Sequence, residues 1–495
     1  MSSTLSVLEQ IGPIGPDANV GVHRALCLIN GEWVEGEGEL HDIHSPINGE
    51  VVSQVRYASL AQVDAAAKAA RAAQKEWAAV PMMTKAKMMH AAADAVLRRG
   101  EEISRMMTGE MGKTIDEARH EVIYSITVNC IRAAAEDALR MKGSAAGSIM
   151  PQHPNRRVLT QFDPIGVGAF LSPWNFPAEM ILNVAGALMM GNTTVWKPSE
   201  FSPYTPFIVT EAFMEAGFPP GTVNLIYGSG DIGENLVSHK EVGFVALIGS
   251  SVVGDKIARN APMKRLMLEC GGNGPLIVMD DADIDAAVEG AVVGCYYVAG
   301  QVCVASERIL VHESVHDEFV EKLVAASAEV KVGNPFDEDT TMGPMINERI
   351  LSKSLAHIAD AKAKGATVVF GGGHDGLYHE PTVLINVTPD MDIAREETFG
   401  PVAPIIKFKD DQEALDIAND SQYGLQMAVF TKSLNRAWLF SEQLEAGVVV
   451  INRGNMDWDI NAPFGGVKQS GLGRETGEEA LRCFTNIKHL NINFL

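Results

Sequence analysis

The chain has 495 residues, 46% of them hydrophobic and 21% charged, the balance of an ordinary globular protein with room for two or three domains. Its formal net charge of -23 repels nucleic acid phosphates and excludes general binding to DNA or RNA, and no uninterrupted run of about 18 apolar residues suggests a membrane span. Six cysteines (Cys27, Cys130, Cys270, Cys295, Cys303 and Cys483) lack a disulfide-framework spacing, and the N-terminus lacks the basic start and apolar core of a signal peptide. The expected compartment is the cytoplasm.

Residues 1–24, rich in Gly, Pro and Ser, read as a loosely held arm. Ala25 to Val34 reads as a strand with an Asn30-Gly31 turn. From Leu60 to about Arg140 the pattern is helical, with Ala-rich stretches such as DAAAKAARAAQKEWAA. Gly143 to Phe162 is β-like and broken by Gly and Pro, as expected of an excursion from a domain. Beyond Gly166 short apolar runs begin at Val167, Thr193, Val223 and Phe244 and alternate with helical stretches, the signature of a parallel sheet flanked by helices. A second alternating series runs through Leu276, Arg308, Val402 and Val448. Two α/β units without an internal repeat suggest a cofactor domain and a catalytic domain. Phe484 to Phe494 reads as an edge strand that needs a partner.

Several segments carry chemistry. Gly228-Ser229-Gly230-Asp231-Ile232-Gly233 is a G-x-G-x-x-G turn between a strand and a helix, the dinucleotide fingerprint, and Gly249-Ser250 to Gly254 is a second such turn. Cys303, in Gly300-Gln301-Val302-Cys303, could attack a carbonyl carbon and hold the product as a thioester. Glu269, in Leu268-Glu269-Cys270-Gly271-Gly272, could activate the water that cleaves it. Alone, a Cys among small residues is more often a packing residue. His312-Glu313-Ser314-Val315-His316 matches H-E-x-x-H, but a zinc site needs both imidazoles on one helix face. Here His312 ends an apparent strand, so no metal is expected.

With Pro173-Trp174-Asn175-Phe176-Pro177 upstream and Glu396-Glu397-Thr398-Phe399-Gly400-Pro401-Val402 downstream, the Glu269 and Cys303 segments resemble the NAD(P)-dependent aldehyde dehydrogenase superfamily over nearly the whole chain. The resemblance implies an α/β fold: a Rossmann-like NAD-binding domain (25–142 and 163–268), an α/β catalytic domain (269–477) and a small β oligomerisation element (143–162 and 478–495). A homodimer or homotetramer follows from the last. It implies Cys303 as nucleophile, Glu269 as hydrolytic base, and Asn175 with the Cys303 backbone N–H as oxyanion donors. The adduct would lose hydride to the nicotinamide, and water would release a carboxylic acid. Trp174, Lys197, Glu200, Gly230, Gly249, Ser250, Gly271, Glu397 and Phe399 match cofactor positions, with the pyrophosphate shifted to the Gly249–Gly254 turn. A carboxylate at Glu200 would take the ribose hydroxyls and repel a 2′-phosphate, which favours NAD over NADP.

The resemblance implies a small-molecule aldehyde as substrate, with a tunnel that, by matching positions, involves Phe176, Glu179, Met180, Asn183, Tyr297, Arg453, Trp458 and Phe464. Arg453 could fork onto a carboxylate tail, which suggests a semialdehyde, or pair with Asp457 or Asp459. Against the semialdehyde, Glu179 would repel an anion and Asn183 stands where succinate semialdehyde dehydrogenases usually carry Arg. Trp458, Tyr297 and Phe464 fit an apolar or aryl aldehyde equally well. A non-catalytic relative that keeps only the fold is the remaining alternative. Departures from the family are Cys270 for a commoner Leu, Asn273 for a common Lys, and Val302, which removes a neighbouring cysteine. Cys270 reads as a small core residue or a redox-sensitive thiol, and Cys295 as structural.

Overall fold

The apolar runs pair into two large sheets in the computed structural model, which describes residues 5–15 and 20–494. The first sheet has eight strands in the order Gly471–Leu472, Arg265–Glu269, Val242–Ile248, Val167–Leu171, Thr193–Lys197, Val223–Leu225, Cys27–Ile29 and Glu32–Val34. The five from Arg265–Glu269 to Val223–Leu225 run parallel. Val167–Leu171 and Thr193–Lys197 are buried at every position, which is why they read as continuous apolar runs rather than alternating ones. Asn30 and Gly31 take φ of 54° and 83° and close the two-residue hairpin at the far edge.

The second sheet has seven strands: Thr367–Phe370, Thr382–Ile385, Val402–Phe408, Arg308–His312, Pro275–Val278, Gln426–Phe430 and Val448–Ile451. Only the first of these is antiparallel to its neighbour. The chain crosses between the sheets directly after Glu269, and Gly471–Leu472 returns to pair with that strand. The chain therefore crosses between the sheets twice, after Glu269 and again between Ile451 and Gly471.

Helices Leu60–Ala79, Met82–Arg98 and Thr127–Arg140 supply the expected helical region. Trp77 is 1% exposed and its indole N–H donates to the Leu188 carbonyl at 2.9 Å, tying the first helix to the helix Ile181–Met189. Thr485–Asn493 pairs antiparallel with Arg156–Pro164 along nine residue pairs, and Ala145–Gly147 completes that small sheet, so the terminal strand finds its partner in the excursion.

The N-terminal segment corrects the expectation of a loose arm where it is described. Ser6 and Glu9 form a reciprocal capping box on the helix Val7–Ile11. Val7 and Ile11, one turn apart, are buried, with Ile11 against Gly109. His23–Ala25 adds a parallel strand beside Ser53–Val55. The sequence 16–19 lies outside the described residues, as does 1–4.

Candidate active site

In the first sheet the chemistry-bearing segments sit at the carboxyl ends of parallel strands, where an open α/β sheet leaves a crevice. Asn175 follows Val167–Leu171, Lys197 ends Thr193–Lys197, Gly228–Gly230 follows Val223–Leu225, Gly249-Ser250 follows Val242–Ile248, and Glu269 ends Arg265–Glu269. From the second sheet come segments that precede strands: the Cys303 loop before Arg308–His312, and Glu397 to Phe399 before Val402–Phe408. The site is thus the seam between one carboxyl edge and one amino edge.

The Cys303 loop is held in a narrow conformation. Val298, Ala299 and Gly300 all take left-handed φ, at 52°, 54° and 72°, a strained run for two non-glycine residues. The Gln301 side chain donates to the Val298 carbonyl at 2.9 Å and accepts from the Ile346 N–H at 2.9 Å. Asn175 donates one amide N–H to the Gln301 carbonyl at 2.8 Å, which fixes its carboxamide beside the loop and leaves a second N–H to offer. A Cβ at Gly272 would lie 2.5 Å from the Cys303 carbonyl oxygen, so only glycine permits this approach.

Electrostatics at the seam are acidic. Glu269 is 2% exposed, and the Cys303 thiol is the side chain that interacts with its otherwise unpartnered carboxylate. Burial, then the Glu475, Glu179 and Glu397 charges, raise its carboxyl well above the usual 4.5. Burial first, then Glu269 and Glu179, likewise push the Cys303 thiol upward. Both shifts favour the protonated forms, so positive charge arriving at the seam would favour thiolate and carboxylate. Glu397 accepts the Gly272 N–H at 3.2 Å and is raised by burial to about 7. Phe399, at φ 58°, meets Trp174 edge-on with ring centroids 5.6 Å apart.

Two cavities open from this seam. The larger, about 530 Å³, is lined by Trp174, Lys197, Glu200, Gly230, Gly249, Ser250, Gly271, Glu397 and Phe399, every residue expected to face the cofactor. The smaller, about 330 Å³, is lined by Phe176, Glu179, Tyr297, Trp458 and Phe464 of the expected substrate residues. Phe176, Glu179, Glu269 and Cys303 line both. The larger cavity also receives the amino ends of helices Gly230–Ser238 and Ser251–Asn260, which carry partial positive charge. Both glycine turns thus face one cleft. With Lys197 and Glu200 in its lining and Glu397 and Phe399 beside Cys303, this donor set fits a dinucleotide.

Three expected substrate residues fall elsewhere. Met180 and Asn183 are 0% and 1% exposed and line neither cavity, because they sit at the buried start of the helix Ile181–Met189. Asn183 instead donates to Glu475, which does reach the tunnel. Arg453 is exposed and lines neither cavity. Asn452 turns the chain at φ 58° and Gly454 packs on the Gly290 backbone, which leaves Arg453 on the surface, without an ion pair to Asp457 or Asp459 among the described residues. His312 ends a strand and bonds to the Lys409 carbonyl at 2.9 Å, while His316 opens the next helix beside Asp317.

Two functional neighbours escaped the sequence reading. Glu307 is buried and accepts the Thr398 and Phe399 N–H groups at 2.6 and 2.7 Å, with Asn273 donating to it at 3.4 Å, so it anchors the turn that carries Glu397. A charged Glu307-Arg308 pair opening a buried apolar strand was the available signal. Glu475 enters the tunnel because its backbone pairs both ways with Phe464, at 2.7 and 2.8 Å. No local pattern announces it. The departures also find places: Asn273 donates to the Glu396 carbonyl at 3.2 Å, and Cys270 is 2% exposed, with the position of a Gly254 Cβ 2.7 Å from its sulfur.

The aldehyde dehydrogenase family profile matches residues 33–490. The glutarate-semialdehyde dehydrogenase of Pseudomonas putida is 38% identical over 95% of this chain and 98% of its own. Among solved structures, an Escherichia coli NADP dependent enzyme superposes with a TM-score of 0.92 at 36% identity, covering 95% of this chain and 98% of that one. Betaine aldehyde dehydrogenase from Staphylococcus aureus in complex with NAD+ gives 0.91 at 37% identity, covering 95% of each. The chain belongs to the aldehyde dehydrogenase family and is an oxidoreductase that acts on an aldehyde.

Proposed function

We propose that this enzyme oxidises its aldehyde to a free carboxylic acid with NAD as the preferred acceptor, using Cys303 as nucleophile and Glu269 as hydrolytic base. The observation that carries this reading is that the two cavities share Cys303 and Glu269. An aldehyde entering by the tunnel and a dinucleotide filling the cleft would meet at the sulfur.

The Cys303 sulfur bonds to the aldehyde carbon as its proton leaves, and the developing oxyanion takes hydrogen bonds from the second Asn175 N–H and the Cys303 backbone N–H. A bound dinucleotide supplies the hydride acceptor. Loss of hydride from the adduct leaves a thioester on Cys303. Glu269 then withdraws a proton from water, whose oxygen bonds to the acyl carbon while the C–S bond breaks. Aldehyde, NAD and water become carboxylate, NADH and two protons, and the thiol is restored. Glu397 and Phe399 would hold the nicotinamide end, Ser250 and the two helix amino ends would take the phosphates, and Glu200 with Lys197 would take the adenosine ribose.

The small sheet formed by Ala145–Gly147, Arg156–Pro164 and Thr485–Asn493 supports assembly as a homodimer or homotetramer, since it exposes Ile487 and Ile492, with Phe494 exposed just beyond its last strand. The six free thiols support a reducing compartment such as the cytoplasm. The deciding experiment measures reduced nicotinamide and acid together. The expected result is one acid per reduced nicotinamide with the native enzyme, and a loss of at least about 10⁴-fold in Cys303→Ala. Retained turnover in that variant would sink the scheme.

A further inference from the structure

The tunnel's charge is one-sided. Asp116, Glu117, Glu179, Glu269 and Glu475 line it, and no Lys or Arg does among the described residues. Glu117 is already committed, accepting the Val298 and Thr114 N–H groups at 2.7 Å each. Glu475, 2% exposed, accepts from the Asn183 side chain and from no other side chain among the described residues. Both Glu269 oxygens are buried with no partner beyond the Cys303 thiol. The amine of Lys113 is sealed off: it pairs with Glu121 and lies 4.0 Å from the centroid of the Phe176 ring. His120 is the one basic side chain in the lining, and it is exposed at the rim beside Tyr297, with ring centroids 6.5 Å apart.

Such a cluster is costly unless something answers it. Burial holds the Glu475 carboxyl up at about 7, and burial with the Glu475 charge pushes Glu179 well above the carboxylate range. A purely apolar substrate would be served better by apolar walls, because buried carboxyl groups without partners lose hydration for nothing. An anionic tail would meet repulsion from every charged wall residue, and Arg453 lies outside. The aromatic walls complete the pattern. Trp458 and Phe464, with centroids 6.0 Å apart, offer ring faces that attract a cation as carboxylates do.

We propose that the substrate is an aldehyde bearing an ammonium or quaternary ammonium group remote from the carbonyl, held by Glu179, Glu475 and the Trp458–Phe464 wall, and that ω-carboxylate semialdehydes are disfavoured. This rests on Cys303 as nucleophile, since that places the carbonyl at the inner end and the charge among the carboxylates.

The test uses three aldehydes and one pair of unreactive alcohols. Trimethylammonioacetaldehyde is compared with tert-butylacetaldehyde, its uncharged carbon isostere, and with succinate semialdehyde. Calorimetry compares choline with the isosteric tert-butylethanol on native enzyme and on Glu179→Gln. Expected are a kcat/KM advantage of about tenfold or more over the isostere and about 100-fold over the semialdehyde. Choline should also bind at least about tenfold tighter than its isostere, with that advantage cut severalfold in Glu179→Gln. Equal binding of the two alcohols, or succinate semialdehyde as the best substrate, overturns the inference. Oxidation of the isostere without a cation advantage overturns it while leaving the aldehyde chemistry standing. Tight choline binding with none of the three oxidised upholds the charge preference and removes the catalytic reading instead.

Discussion

The cleft of about 530 Å³ takes much of its lining from the carboxyl ends of parallel strands and the turns that follow them, whereas the tunnel of about 330 Å³ gathers side chains from segments as distant as Asp116 and Glu475. The first is largely a product of backbone geometry: strand ends, glycine turns and helix amino ends recur wherever this sheet forms. The second is a product of side chains that no short motif connects. One region can stay constant while the other is rewritten, and Cys303 with Glu269 sits where the two meet.

The largest test of that meeting point concerns Glu269. To act as a base it must lose its proton, and burial with the surrounding carboxylates raises its carboxyl well above 4.5. The basic form therefore accumulates only as pH rises through that raised value, so thioester hydrolysis should climb with pH and be suppressed in acid. Glu269→Gln removes the titrating group. Hydrolysis should fall on the order of 10²–10⁴-fold and lose that limb of the profile, while one equivalent of reduced nicotinamide still forms in a burst. Single-turnover decay of the acyl-enzyme across pH measures both. An unchanged pH limb in the variant would show that another group is the base.

Asn175 comes next. Its Gln301 contact holds the carboxamide in place, so Asn175→Ala loses both the loop tether and the oxyanion donor. A drop of about 10²–10³-fold in kcat is expected, with a smaller change in KM. Asn175→Asp should not rescue it, since a carboxylate would repel the oxyanion.

The adjacent glycines separate the two regions more finely. A Cβ at Gly272 would strike the Cys303 carbonyl oxygen at 2.5 Å, which is backbone and cannot step aside cheaply. A Cβ at Gly271 would lie 2.4 Å from Glu397 Oε1, the far end of a side chain that can swing. Gly272→Ala should therefore cost kcat on the order of 10²-fold by misplacing the nucleophile. Gly271→Ala should raise KM for the dinucleotide about tenfold or less, with kcat nearer to native. Steady-state kinetics on the two variants would reverse this assignment if Gly271→Ala proved the kcat variant.

The same contrast explains what could be read from residue order. Cys303, Glu269, Asn175 and the cleft residues were legible because each lies in a compact segment beside a strand end, and the fold brings those segments to one seam. Met180, Asn183 and Arg453, assigned by matching positions like the rest of the tunnel set, fall outside its lining. Arg453 follows an edge strand whose turn at Asn452 leaves it on the surface, and Asn183 lies one layer behind the tunnel wall. Glu475 could not be read at all: a backbone pairing with Phe464 delivers it, and a pairing of that kind leaves no periodicity. The capping box at Ser6 and Glu9 is the opposite case, a legible S-x-x-E signal in a segment read as loose.

The smallest effect, and the most discriminating within the cleft, belongs to Glu200. It shares the lining with Lys197, whose amine donates to the Pro198 carbonyl at 2.9 Å; burial lowers that amine's pKa and the Glu200 charge offsets this, a support that an incoming 2′-phosphate would supply in its place. Glu200→Gln removes the group that repels a 2′-phosphate and leaves the cation that attracts one. The ratio of kcat/KM for NADP to that for NAD should rise about tenfold, the scale of one charge interaction in partly wet surroundings. Because Glu200 is only half-buried, the shift should shrink as ionic strength increases. Measuring the ratio at low and high salt separates this electrostatic account from a steric one. A steric filter would keep its discrimination in salt, and a ratio unmoved by the substitution would place cofactor choice on another residue of the cleft.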